Sequence, residues 1–425
     1  MSPKRKRIWF GIITAFIVAF GSMCISGAGQ CKLHKDAKTE TPMFSIPAGA
    51  AVIYSVRENL PLRERPASFS RVIAADPGGE SAEVILKGRG VISSLSPSPD
   101  GKYIAFTFKR NVTSSSEEGY DRRAGPLWLL SLGDGRIIDI SGPDTKARLV
   151  SKPPAFSQDG KLLAFGSEDG LINGTIRLFI YNIDKGELKT PTSLNQMTLG
   201  DNPPHFLVGD KEIVCAVKMF EGPNFGDFKL QMIAYDYSAD TYRVITEFDK
   251  EDKVGVPIPS PDGKYIYYDY RKSVINHRAV MRILVEGGNP QTVFEEKYVL
   301  YFVDFIPDGN RALMSYHVQE YNARYVCIGD IETGATQLIT GDDEDISIYS
   351  EAASETGLKY VSPDGKMILT YFHDLKYDFR DILVMDAEGG NRVNISNTAL
   401  FDEDIATWMV IPEGIKIPAG GYEVE

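Results

Sequence analysis

The sequence predicts an all-β fold, a single β-propeller of four-stranded blades, on three observations. A short turn motif returns at near-constant spacing. Each copy runs into an alternating apolar stretch, and each is followed by a second strand–turn–strand half. Units of this period build arrays or rings, because one unit alone cannot bury its apolar face.

The turn motif is Ser98-Pro99-Asp100-Gly101-Lys102, followed by Tyr103-Ile104-Ala105-Phe106. Further copies begin at Ser157, Ser260, Ile306 and Ser362, and weaker ones at Ile46 and Leu207. Proline pre-sets φ at the second turn position, aspartate bonds the local backbone, and glycine takes positive φ. The run that follows has the period of a half-buried strand. Positions 47, 99, 158, 208, 261, 307 and 363 mark successive units, 46 to 59 residues apart, enough for four strands and their loops. The second half is seen in Leu127-Trp128-Leu129-Leu130 with Gly133-Asp134-Gly135, and in Arg177-Leu178-Phe179-Ile180-Tyr181 with Asp184-Lys185-Gly186. Similar segments lie at 281–289, 326–334 and 382–390.

The Ser-Pro-Asp-Gly-Lys turn with its flanking strands resembles the TolB-like, WD-related propeller repeat, over about residues 44–412. The resemblance implies fold more strongly than function, since unrelated activities share such scaffolds. Seven blades are expected, six if the degenerate unit at 201–246 does not form one. The chain end at Ile405-Ala406-Thr407-Trp408-Met409-Val410-Ile411 reads as a first strand with no unit after it, while the opening unit lacks one. Pairing the two would close the ring and remove free sheet edges.

Residues 1–28 read as an export segment. Lys4-Arg5-Lys6-Arg7 is a basic cluster, Ile8 to Ile25 carries no charge, and Ser26-Gly27-Ala28 has the small residues of a cleavage site. The uncharged stretch also suits an uncleaved anchor. In both cases the basic cluster keeps the N-terminus inside and the body outside, periplasmic or held at the outer face of the cytoplasmic membrane. Residues 29–43 read as a polar linker and 44–425 as the propeller. The formal net charge of −12, with those four basic residues in the leader, argues against nucleic acid and against docking of the body on anionic lipid. A monomer is expected. Cys215 and Cys327 lie in apolar strand-like runs and read as buried thiols.

In a propeller the innermost strands line the channel. The positions two before the turn's first residue are Ser96, Ala155, His205, Ile258, Asp304, Tyr360 and Thr407, a mixed ring of small, apolar and few ligand-type side chains. Of these, Ser96, His205, Asp304, Tyr360 and Thr407 are the channel candidates. A metal site needs several converging His or carboxylate groups. His205 and Asp304 come from non-adjacent units, so no metal and no other cofactor is expected. Among the histidines (34, 205, 277, 317, 373), His373-Asp374 is the best fragment of a clustered motif.

Loops supply a second set of binding candidates: Phe220, Phe225 and Phe228 in an aromatic, Gly-rich segment, and Asp342, Asp343 and Asp345 in an acidic run. The sequence holds no Gly-x-Ser-x-Gly elbow, P-loop, HExxH or dinucleotide fingerprint. No catalytic residue is named. The reading favours a non-catalytic binding module for a protein or peptide of the cell envelope, as the resemblance implies. The alternative is a metal-dependent carbohydrate-active enzyme, similar to a polysaccharide lyase, using the channel.

Overall fold

A computed structural model describes residues 43–58, 69–110, 125–141, 150, 153–168, 175–200, 202–221, 227–272, 277–295, 299–318, 323–341, 346–348, 358–374, 379–396 and 401–424. The leader and nearly all of the linker, residues 1–42, lie outside this set. Among the described residues no helix is long and apolar enough to cross a membrane. Residues 42–425 form one compact unit.

Among the described residues every regular element of that unit is a strand, and pairing sorts most of the strands into antiparallel units of four or five. The first contains Gly49–Glu58, Phe69–Ala75 and the first half of Ala82–Pro97. The second half of Ala82–Pro97 opens the next unit, with Tyr103–Arg110, Leu127–Ser131 and Ile137–Asp139. Three further units are centred on Leu162–Glu168, Glu212–Phe220 and Tyr265–Lys272. Two more follow, centred on Arg311–Val318 and Met367–Asp374. The degenerate segment forms a full sheet. Its inner strand is split into Met197–Leu199 and His205–Phe206, both paired with Glu212–Phe220. The strand Phe401–Ile411 pairs antiparallel with Gly49–Glu58, from Gly49 opposite Ile411 to Glu58 opposite Phe401.

The turn motif folds as its residue types require. In the first copy Gly101 N–H donates to Ser98 O at 3.0 Å and Gly101 has φ 71°. Ser98 Oγ donates to Asp100 Oδ1 at 2.7 Å, and accepts from Tyr103 N–H at 2.9 Å. Asp100 Oδ1 also accepts from Lys102 N–H at 3.1 Å. The serine and aspartate thus satisfy the groups that the turn leaves without ladder partners. The same bonds recur at Ser157–Asp159, Ser260–Asp262 and Ser362–Asp364.

Side chains between neighbouring sheets form the core. Between the fifth and sixth sheets Tyr267 stacks on Phe302, with centroids 5.6 Å apart, and meets Phe305 edge-on at 5.0 Å. Cys215 and Cys327 are both buried in such layers. Asp269 is enclosed at the same junction, where Phe302 N–H donates to its Oδ1 at 2.7 Å. Burial pushes its carboxyl up to about 7, and the Phe302 bond opposes this only partly. Below pH ~4 Asp269 is protonated in both folded and unfolded chains. Between pH ~4 and ~7 only the unfolded chain ionises, so stability falls as pH rises, and above that range the loss is constant. The limit is about 4 kcal/mol at ~1.36 kcal/mol per unit. Asp269→Asn keeps the acceptor and removes the charge. It is expected to raise Tm clearly at pH 8 and little at pH 4, read by thermal melts across pH. An equal shift at both pH values refutes the assignment.

Candidate functional site

The inner strands run toward the turn-motif face, and their ends converge. Ser96, Ala155, His205, Ile258, Asp304 and Thr407 line one cavity of about 600 Å³. Ser96 and Thr407 lie on one long sheet and the other four positions each on a sheet of their own, so the cavity lies between five sheets and not within one. Its size is that of pockets that enclose small ligands or short segments, ~300–1,000 Å³.

Nine prolines contribute to the wall: Pro97, Pro99, Pro153, Pro154, Pro203, Pro259, Pro261, Pro307 and Pro363. Five of them precede the turns or the inner strands, and four occupy the second turn position of the repeat. Proline fixes φ and offers no N–H. The rim is therefore stiff, apolar and short of backbone donors. Val208 and Val410, both 44% exposed, add apolar surface to it.

Tyr360 is the exception among the channel positions. It is fully buried in the core, and Lys359 and Val361 line the wall in its place. Successive residues on an extended strand face opposite ways, so a slip of one position exchanges wall for core. The strand Phe401–Ile411 sets that register. Thr407 Oγ1 accepts from Lys359 N–H at 3.0 Å, Trp408 N–H donates to Lys359 O at 3.0 Å, and Trp408 Nε1 donates to Tyr360 O at 3.2 Å.

Asp304 and Lys359 are the charged residues among the lining. Lys359 Nζ lies 3.2 Å from Asp304 Oδ1, and the same oxygen accepts from Phe305 N–H at 2.9 Å. The Asp304 side chain is 6% exposed and that of Lys359 64%, so a sunken carboxylate holds an open ammonium. Gln158, Thr407 and four serines add neutral polar groups to the lining, and His205 adds an imidazole. Its Nε2 is enclosed and has no hydrogen-bond partner. Burial, and then the charge of Lys359, push the imidazole down to about 4, so it is neutral at physiological pH. Lys359 escaped the sequence reading because it sits one position off the repeat alignment. A lysine in the otherwise apolar Leu358-Lys359-Tyr360-Val361 was the available signal.

The loop candidates lie elsewhere. Phe220 and Phe228 face each other across the end of one hairpin of the fourth sheet, both half-buried and away from the cavity lining. Lys218 Nζ sits 5.4 Å from the Phe228 ring centroid. Phe225, Asp342, Asp343 and Asp345 lie outside the described residues. The strands place His277, His317 and His373 by backbone only. Among the described residues no group of three His, Cys, Asp or Glu side chains is placed to hold a metal ion.

No family model matches the sequence. No curated protein matches it either. Solved structures do match. An oligogalacturonate lyase in complex with manganese superposes with TM-score 0.51 at 12% identity, covering 83% of this chain and 88% of that one. A puromycin hydrolase gives TM-score 0.52 at 15% identity, with coverage of 75% and 47%. TolB from Acinetobacter baumannii is also among the matches, with TM-score 0.45, 19% identity and coverage of 85% and 66%; this chain thus spans just under two thirds of that TolB's length. At these identities the likeness is one of fold, and the chain is a β-propeller.

Proposed function

We propose that this chain is an exported binding module that takes a protein or peptide segment of the cell envelope into the cavity on its turn-motif face. The observation that carries the reading is the cavity wall: about 600 Å³, nine prolines, exposed valines, and a small polar set that includes His205, Asp304 and Lys359. A stiff apolar rim loses little conformational entropy when it takes up a ligand, and the few polar groups give orientation. Export is supported by the basic cluster at residues 4–7 and the uncharged stretch 8–25.

The alternative, a metal-dependent lyase, draws on the manganese-bound oligogalacturonate lyase among the similar folds. The cavity residues do not fit it. His205 and Asp304 are the ligand-type groups there, and Asp304 is already engaged by Lys359 and a backbone N–H. A single imidazole is a poor site for a transition metal.

Site-specific photocrosslinking in the source cells tests the binding reading. The photoreactive residue is placed at Val208 or Val410 on the rim, and at Val244 on an outer strand. The three positions are 44%, 44% and 43% exposed, so Val244 is a matched control. Discrete protein adducts are expected at Val208 and Val410 and not at Val244. Adducts at all three alike, or at none, refute the reading.

A further inference from the structure

The polar groups of the cavity select one end of a chain. Six inner strands enclose the space from around the ring, so a segment fits it end-on more readily than lying across it. A segment entering end-on brings a terminus. Its amino end would carry an ammonium toward the open Nζ of Lys359, while the carboxylate that could receive it, Asp304, is 6% exposed and already engaged by Lys359 and Phe305 N–H. Its carboxyl end meets the opposite situation. Lys359 has three N–H donors, and Asp304 Oδ1 engages one of them. The buried, unpartnered Nε2 of His205 adds a polar group that no protein atom satisfies. Such an atom is costly unless something bonds to it. The negative charge of Asp304 is offset by Lys359 and by Phe305 N–H, so it does not bar an incoming anion.

We infer that the cavity captures the free C-terminal carboxylate of a partner chain, with Lys359 Nζ and His205 Nε2 as its two anchors and the proline rim around the preceding apolar residues. This rests on the peptide-binding reading above and narrows it. Neutral His205 offers an N–H without the repulsion two cations would impose on each other. The prolines leave the ligand's own amides to water at the mouth, so the discrimination rests on the terminal group.

Three fluorescently labelled probes test this by anisotropy on the full chain: a Leu-Ala-Pro-Leu tetrapeptide acid, its carboxamide, and an amidated Leu-Ala-Glu-Leu. The acid is expected to bind at least ~10-fold tighter than its carboxamide, the scale of one charge-assisted bond. Lys359→Met alone would leave Asp304 sunken and unpaired. It is therefore combined with Asp304→Asn, and this pair should bring acid and carboxamide within ~2-fold. His205→Phe should weaken the acid several-fold and leave the carboxamide unchanged. Equal binding of acid and carboxamide overturns the carboxylate inference and leaves peptide binding standing. Tightest binding of the amidated Glu peptide overturns the terminal assignment, since a side-chain carboxylate is then preferred. Failure of all three at millimolar concentration overturns both readings.

Discussion

Gly101→Ala is expected to lower stability by about 4 kcal/mol or more, and Gly309→Ala by only about 1 kcal/mol, although both are the same glycine of the same repeat. Both have positive φ, 71° at Gly101 and 80° at Gly309, so both variants bear the cost of a left-handed L-residue. Their surroundings differ. A Cβ at Gly101 would lie 1.8 Å from Val410 O and 2.8 Å from Pro412 Cδ, whereas at Gly309 nothing lies within 4 Å. Val410 belongs to the strand Phe401–Ile411, so the clash is with backbone that is itself paired to Gly49–Glu58 and cannot yield cheaply. The turn of the second sheet therefore acts as a seat for the C-terminal strand, a role its counterpart in the sixth sheet does not have. Urea unfolding of the two variants measures the difference, with an unchanged m-value showing that the folded state is preserved. Equal midpoints would mean that this seat bears no load.

The repeat was legible because its determinants are local. In Ser98-Pro99-Asp100-Gly101-Lys102 the acceptor, donor and turn residues lie within five positions of one another, and four copies show the same bonds. The channel positions followed from strand alternation counted back from that turn, and six of the seven line the cavity. Tyr360 and Lys359 exchange roles because their register is fixed by Thr407 and Trp408, 48 residues away, and no local pattern encodes that. Asp210 is similar. In the degenerate unit it takes φ 54° and accepts from Gln158 and Asp159 N–H of the neighbouring turn, at 2.8 and 3.1 Å. A turn that departs from the motif is thus tied to one that keeps it. The unpartnered nitrogen of His205 is a property of the folded chain alone.

Within the propeller region the sequence marks no strand after Ile411, for a physical reason. Lys416–Pro418 pairs with Met43–Ser45, and Tyr422–Val424 runs parallel to Leu86–Gly88. Strands of three residues carry too little alternation to stand out, and each takes its order from a distant edge. The signal lay on the receiving strand. Gly88 and Gly90 interrupt an apolar stretch, and glycine within a strand marks close approach of another chain segment. A Cβ at Gly88 would lie 2.7 Å from Val424 Cγ1 and 3.1 Å from Phe108.

Removal of residues 401–425 is expected to abolish cooperative folding, while removal of 419–425 lowers Tm by a few degrees only. The longer truncation takes away a strand that is bound on both sides. Toward the first sheet it pairs with Gly49–Glu58 throughout. Toward the last it holds Lys359 and Tyr360, and Ala406 N–H donates to Tyr371 Oη at 2.9 Å. Ile405, Trp408, Met409 and Ile411 are all buried. At ~1.5–3 kcal/mol for each buried large side chain, their loss is on the order of 6–12 kcal/mol, as large as the whole stability of a typical domain, ~5–15 kcal/mol. Gly49–Glu58 would also become an unprotected edge, so the truncated chain should aggregate as well as unfold. Trp408→Ala is the graded version, with about 3–5 kcal/mol expected. The shorter truncation removes Tyr422 and Val424 but leaves that pairing in place. Far-UV circular dichroism melts and size-exclusion profiles of the three variants decide the matter. A soluble 401–425 deletion that melts cooperatively near the parent Tm would show that the propeller holds without the strand Phe401–Ile411, and that the Thr407–Lys359 contact does not fix the register of the cavity wall.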